Sequence, residues 1–394
     1  MDSLQLRHIL RICAFALLLV AAGGALLIAT RYRVKPVRVE TAVGDATCIS
    51  CHRDKATFEQ TAHRLTSRHP SMVAIAGSFE SGENVLPTAN PRLKYRMDTA
   101  KGGFYQTAVL GQLPDTSSRS ERFAFVVGSG RKGQTYLYWH DGDRLFELPV
   151  SYWTGVGKWI NSPSYPDGIM NFDRPATPRC LECHATSFQF VADDKAVNRY
   201  RSAGAILGIT CEKCHGAGPE HVARMRSSLR VVRGNAIVNP ARLSRARQID
   251  GCALCHGGPG VPIAAAFSYV PGTPLQSHLG LRVPLPEEDV DVHGNQVALL
   301  ERSRCFRESA MTCATCHDVH RTQRDTTVIS GRCLGCHQPQ SCGLFPQRGR
   351  ALVGQCVNCH MPKLASNAIV SDYQGRQERP LVRSHWIRVY SQRK

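Results

Sequence analysis

The hydrophobic pattern divides the chain into an apolar N-terminal run, a strand-rich stretch and a long region of short elements. Residues 12–29 carry no charge, and basic residues border them on both sides. About 20 such residues span a bilayer as a helix, so the pattern predicts an N-terminal transmembrane signal anchor over residues 1–35. A cleaved signal peptide is the alternative, because the small residues from Ala21 to Ala25 offer a cleavage site.

Alternation of apolar and polar residues appears in residues 122–128 (RFAFVVG), 134–139 (QTYLYW) and 144–153 (RLFELPVSYW). These segments are rich in aromatic and β-branched residues, and Gly and Asp separate them. This combination is typical of a small antiparallel meander. Residues 95–110 have the pattern of one more hairpin.

Beyond Pro175 we expect short helices and long loops, with helical patterns at residues 219–232 and 295–304. Only 42% of the residues are hydrophobic, and the chain contains 33 Gly and 22 Pro. A loop-rich polypeptide of this kind needs apolar surface from a source other than its side chains.

The motif Cys-x-x-Cys-His occurs seven times, whereas composition alone predicts roughly 0.03 copies. A cofactor attached at each motif would supply the missing apolar surface. Its two thiols can add to the vinyl groups on one edge of a porphyrin, and the next residue then binds iron. Zinc ribbons and disulfide oxidoreductases also use Cys-x-x-Cys, but neither requires His at the next position. We therefore predict seven covalently bound haem c groups. The motifs are Cys48/Cys51/His52, Cys180/Cys183/His184, Cys211/Cys214/His215, Cys252/Cys255/His256, Cys313/Cys316/His317, Cys333/Cys336/His337 and Cys356/Cys359/His360.

The charge balance is strongly basic, with a formal net charge of +18, of which residues 1–40 contribute +4. Seven haems carry fourteen propionates, which are natural partners for the remaining excess of Arg and Lys. No basic run interleaved with aromatic residues occurs, so nucleic-acid binding is not expected. Because c-type haem is attached on the outer face of the membrane, we expect a membrane-anchored protein with its soluble body on the periplasmic, extracytoplasmic side.

A low-spin electron-transfer haem usually has a second strong axial ligand, which the protein must supply. Besides His8 and the motif residues, eight histidines remain. For His69, His140 and His278 the sequence leaves a ligand role and an ordinary hydrogen-bonded role open. We predict that the other five bind iron on the distal side: His63, His221, His293, His320 and His385.

One motif is separated in sequence from the other six, because the first starts at residue 48 and the second only at residue 180. We therefore expect a first haem site with a β-rich insert over residues 41–175 and a six-haem cytochrome domain over residues 176–394. Cys305 and Cys342 bracket two motifs, and both a disulfide and two buried thiols fit this spacing.

Several strings in order along residues 45–390 carry a family resemblance: CISCHRDKATFEQTAHRLTS, VVGSG with TYLYWHDGDRLFELPVSYW, CEKCHGAGPEH, SRCFRESAMTCATCHDVH, CVNCHMPK and SHWIR. They resemble the multihaem cytochromes with a cytochrome c-552/4-type domain, related to the tetrahaem carrier that serves hydroxylamine oxidoreductase. The resemblance implies a mainly α and irregular multihaem cytochrome c fold packed around haems, with distal ligation at the five histidines named above. To this we add the small antiparallel β insert between the first and second motifs. The chain lacks the tetratricopeptide repeats of longer relatives and the Cys-x-x-Cys-Lys motif of pentahaem nitrite reductases.

These features predict a heptahaem c-type cytochrome that mediates extracytoplasmic electron transfer through closely spaced, mostly bis-His haems. The expected partners are a membrane quinol or other redox proteins, and the bilayer through the N-terminal helix. The alternative is a multihaem oxidoreductase with one open-coordination haem that acts on a small nitrogen or sulfur compound. No catalytic residue is assigned.

Overall fold

The computed structural model describes residues 34–112, 114–192, 196–227, 236–258, 260–280 and 290–390. The α-helices in these ranges are short: Asp45–Cys51, Pro178–His184, Cys211–His215, Pro219–Arg226, Arg245–His256, Gln296–Glu301, Arg304–Arg307, Thr326–Cys333, Phe345–Arg348 and Cys356–His360. A 3-10 helix spans Arg53–Gln60. The strands are Ser67–Arg68 (β1), Val85–Pro87 (β2), Leu93–Ala100 (β3), Gly103–Gln112 (β4), Asp115–Arg122 (β5), Phe125–Val127 (β6), Gly133–His140 (β7), Arg144–Glu147 (β8), Val150–Trp153 (β9), Lys158–Asn161 (β10), Ala185–Phe190 (β11), Tyr200–Leu207 (β12), Lys363–Ala365 (β13), Ser371–Tyr373 (β14), Arg376–Glu378 (β15) and Leu381–Arg383 (β16).

Two antiparallel sheets fill the interval between the first two motifs. Strands β2 to β5 pair in chain order, and the second sheet has the order β1-β6-β7-β9-β10, with β8 also paired to β7. The β3–β4 hairpin turns at Lys101 and Gly102, which both have positive φ, as a two-residue hairpin turn requires. The predicted meander and the additional hairpin are therefore confirmed.

A core made of side chains lies within this β region. Tyr95, Met97, Tyr136 and Tyr138 are almost completely buried there. Burial raises the pKa of Tyr95 to about 12, as expected for a phenol in apolar surroundings. A second cluster joins β6 to β8 with the helix of the second motif, through residues such as Leu181. The insert therefore folds around its own core and also supports a motif.

The predicted fold class is wrong, because the chain is not mainly helical. Antiparallel strand pairs also occur outside the insert. After the second motif, β11 pairs with β12; after the seventh motif, β13 pairs with β16 and β14 pairs with β15. The pattern misses β5 (DTSSRSER) because this edge strand is polar and mostly exposed. Loops and short helices do connect the motifs, as expected, but strands contribute a comparable share of the fold.

The predicted membrane anchor is corrected by what the structure contains. Across the described ranges, no helix is long and apolar enough to cross a bilayer. Residues 12–29, on which the prediction rested, lie outside the described part of the chain. Membrane anchoring through an N-terminal helix is therefore not supported by the structure.

Candidate haem-binding sites

The motifs share one local geometry, in which the first Cys and the His lie one helical turn apart. In the first, fifth and sixth motifs the backbone N–H of the His donates to the carbonyl of the first Cys at 2.9 Å. Residues four apart project from the same side of a helical turn. The thiols and the imidazole of one motif can therefore reach one porphyrin.

Four motif histidines face a histidine from elsewhere in the chain. The ring centres are 6.4 Å apart for His52 and His221, 6.2 Å for His215 and His320, 6.0 Å for His317 and His385, and 6.1 Å for His256 and His63. The first three pairs of rings are within 30° of parallel, whereas the last pair is nearly perpendicular at 77°.

These separations fit one iron between each pair of rings. A coordinating imidazole nitrogen lies about 2 Å from its metal, and the ring centre is roughly 1 Å further away. Two rings on opposite sides of one iron therefore have centres about 6 Å apart. Direct stacking of aromatic rings would allow closer centres, at about 4.5 Å or more.

His293 lies near the motif residue His184. Burial, and then the nearby His293, lower the pKa of His184 to about 4. The Nδ1 atom of His184 is 3.0 Å from the hydroxyl of Thr66, which leaves its Nε2 atom available for a metal. A hydrogen bond at the second ring nitrogen is the usual way in which a metal-binding His is oriented.

His215 and His360 show the same orientation. The Nδ1 atom of His215 is 2.8 Å from the carbonyl oxygen of Val238, and that of His360 is 2.9 Å from the carbonyl oxygen of Arg388. An N–H donated to these acceptors directs Nε2 away from the backbone and toward the expected iron.

The three histidines that the sequence left open have other neighbours. His278 is 3% exposed, and its Nε2 atom lies 2.8 Å from Oε1 of Glu182. His140 packs edge-on against Phe146 and lies 3.3 Å from the carboxylate of Asp141. The ring of His69 packs against Phe125.

Two buried carboxylates, Asp45 and Glu212, join the first and third motifs, and the sequence analysis missed both. Asp45 accepts the backbone N–H of Cys211 at 2.9 Å and the guanidinium of Arg64 at 2.6 Å. In the opposite direction, Glu212 accepts the backbone N–H groups of Val43 and Gly44. Each helix therefore supplies a carboxylate to the backbone of the other.

Glu182 makes a similar connection beside the second and fourth motifs. It is 1% exposed, and it accepts from Arg179 at 2.9 Å and from the backbone N–H of Phe267 at 2.7 Å, besides its contact with His278. Arg179 also donates to the carbonyl of Leu254 in the fourth motif. The signal available in the sequence was an acidic residue inside the motif itself, CLECH.

The attachment thiols of different motifs are close to one another. Three contacts are hydrogen bonds, Cys48 with Cys211, Cys183 with Cys255, and Cys252 with Cys313. Three more pairs lie near enough for the charge of one thiolate to help raise the pKa of the other: Cys214 with Cys252, Cys316 with Cys333, and Cys356 with Cys333. Together these pairs connect the motifs in the order first, third, fourth, fifth, sixth and seventh, and the second motif is connected to the fourth.

Cys305 and Cys342 are free thiols, so the disulfide considered from the sequence is not formed.

Comparison with known proteins shows similarity to multihaem cytochromes. The family model of cytochrome c554 and c-prime matches residues 167–216, which contain the second and third motifs. A C-type polyheme cytochrome, OmcC of Geobacter sulfurreducens, is 26% identical over 175 residues, which are 38% of this chain and 21% of that protein. The match thus spans about a fifth of the relative's length. No solved structure matches the chain. These similarities support a multihaem c-type cytochrome with covalently bound haem c.

Proposed function

We propose that the chain is a heptahaem cytochrome that transfers electrons outside the cytoplasm through closely spaced, mostly bis-His haems. The observation that carries this proposal is the set of four facing histidine pairs with ring centres 6.0–6.4 Å apart. His293 is a fifth candidate ligand, since burial and then the charge of this residue lower the pKa of His184. Two imidazoles hold iron low-spin and leave little room for substrate, which suits electron transfer.

The series of neighbouring thiols supports a continuous path. Neighbouring thiols of different motifs would bring the edges of their porphyrins close together, so each haem would have a neighbour for electron exchange. The protein would set potentials through the axial ligands, burial and pairing of the propionates with Arg and Lys. The same proposal gives the chain a cytochrome c-552/4-type haem region, supported by the order of its motif strings. Other redox proteins are the proposed donor and acceptor.

Single substitutions test the assigned ligands. We expect seven haems per chain by pyridine haemochromogen assay, and H221A or H320A to lose one low-spin haem each by magnetic circular dichroism. H69A and H140A are the matched controls, and we expect both to keep the full low-spin population, because these side chains contact Phe125 and Phe146. Fewer than seven haems, or an unchanged spectrum in H221A, would contradict the proposal.

A further inference from the structure

We propose that the haems of the last two motifs, at His337 and His360, bind small diatomic π-acceptor molecules on one face. This inference rests on the heptahaem assignment above and adds a ligand-binding function to it. The two sites are neighbours, because the backbone N–H of Val357, inside the seventh motif, donates to the hydroxyl of Ser330, three residues before Cys333.

The first step is the distribution of histidines. The chain has sixteen, and all but His8 fall in the described ranges. Seven belong to motifs, four face the first, third, fourth and fifth motif residues, and His293 lies near the second. The contacts of His69, His140 and His278 with Phe125, Phe146 and Glu182 direct them elsewhere. Among the described histidines, this allocation assigns no second imidazole to the irons at His337 and His360.

The second step is the orientation of His360. Its Nδ1–H is held by the carbonyl of Arg388, and Arg383 holds the same helical turn by donating to the carbonyls of Val357 and Met361. These contacts fix the imidazole as the proximal ligand. Met361 directly follows His360, so its sulfur cannot reach the opposite face of the same iron.

The third step is access from solvent. The helices Thr326–Cys333 and Cys356–His360 pack on each other through Ser330, which is fully buried and accepts the backbone N–H of Val357 at 3.2 Å. Around this contact the chain is open, and Cys336, Cys359 and most residues from 331 to 350 are exposed or half-buried.

The chemical class of ligand follows from the iron. A ferrous haem with one imidazole donates electron density to a ligand with empty π* orbitals, whereas a bis-His haem must first release a protein ligand. The polarity and access of the distal side then decide between binding and electron transfer alone. Carbon monoxide is a suitable probe because it binds ferrous haem without redox chemistry.

The experiment counts carbon monoxide bound to the fully reduced, full-length holoprotein, together with haem per chain. We expect two equivalents of carbon monoxide and seven haems. The double variants C333S/C336S and C356S/C359S should each bind one equivalent and carry six haems. The matched control C48S/C51S removes a haem with a facing pair, so it should carry six haems and still bind two equivalents.

Two results would overturn the inference: no carbon monoxide bound by the wild type, or two equivalents retained when either of the last two haems is removed. If those variants do not mature, the ferric wild type decides alone, because seven low-spin haems by magnetic circular dichroism would also overturn it. Fewer than seven haems in the wild type would instead contradict the proposed function. H385A provides a positive control, with an expected rise from two equivalents to three.

Discussion

Histidines that look alike in the sequence occupy different environments in the fold. His278 is buried against Glu182, which lies 96 residues earlier in the chain. No local pattern reveals such a contact, because it depends on how the 265–278 loop packs on the second motif. For His63, His221, His320 and His385 the sequence gave a useful signal, since each lies a short distance after a motif or near the chain end. Ligation by these residues, and by His293, stays a prediction.

Glu182 is the residue whose replacement we expect to be most informative about stability. Burial opposes its ionisation, but the hydrogen bond from His278 and the charge of Lys213 lower its pKa to about 2. The variant E182Q leaves Arg179 with a weaker partner in the interior, so we expect a loss of about 2 kcal/mol in the free energy of unfolding at pH 7. Chemical denaturation of the holoprotein measures this loss.

The pH dependence of that loss has a definite sign. A carboxylate with a lowered pKa stabilises the fold above its ordinary pKa, near 4.5, and loses this effect as the pH falls toward 2. The difference between wild type and E182Q should therefore shrink over this range. E308Q is the control, because Glu308 and Arg304 form an exposed ion pair that contributes little. Equal losses in both variants, or a loss independent of pH, would count against this account.

Among the elements, the strands were predicted better than the helices. Alternation of apolar and polar residues located the strands between the first two motifs, whereas the helical spacing of apolar residues located the helices less well. Residues 295–304 have the pattern of one helix, but the structure forms Gln296–Glu301 and Arg304–Arg307 with a break at Ser303. The hydroxyl of Ser303 donates to the carbonyl of His385 and accepts the backbone N–H of Ile387. The break is therefore a tertiary anchor for the C-terminal segment, which no helical periodicity can encode.

The segment 384–390 serves two motifs at once, and its removal tests this. It contributes His385 opposite His317 and the carbonyl of Arg388 to His360. Truncation after Arg383 should convert one haem from low-spin to high-spin by magnetic circular dichroism and shift the potential of a second in a redox titration. Truncation after Tyr390 is the matched control and should change neither. An unchanged spin state after the longer truncation would show that His385 does not bind iron.

At the scale of the whole molecule, we expect two kinds of core in this chain. The low hydrophobic content and the many Gly and Pro residues predict that much of the interior depends on something other than side chains, and this stays a prediction. The β insert is the exception, since its aromatic cluster around Tyr136 buries apolar surface without help from a cofactor. The order of neighbouring motifs could not be predicted, because it follows from long-range contacts such as Asp45 with Cys211.

This division predicts how the chain behaves without haem. In a variant with all fourteen motif cysteines replaced by Ser, the strands β3, β4 and β7 should keep slow amide hydrogen exchange, because their core consists of side chains. The motif helices should exchange rapidly, since helices of this length are unstable without tertiary packing, and the proposed haems would supply most of that packing. Hydrogen exchange measured by mass spectrometry, with the holoprotein as the control, resolves the two regions. Equal loss of protection in both regions would mean that the insert also depends on haem, through its contact with the second motif at Leu181.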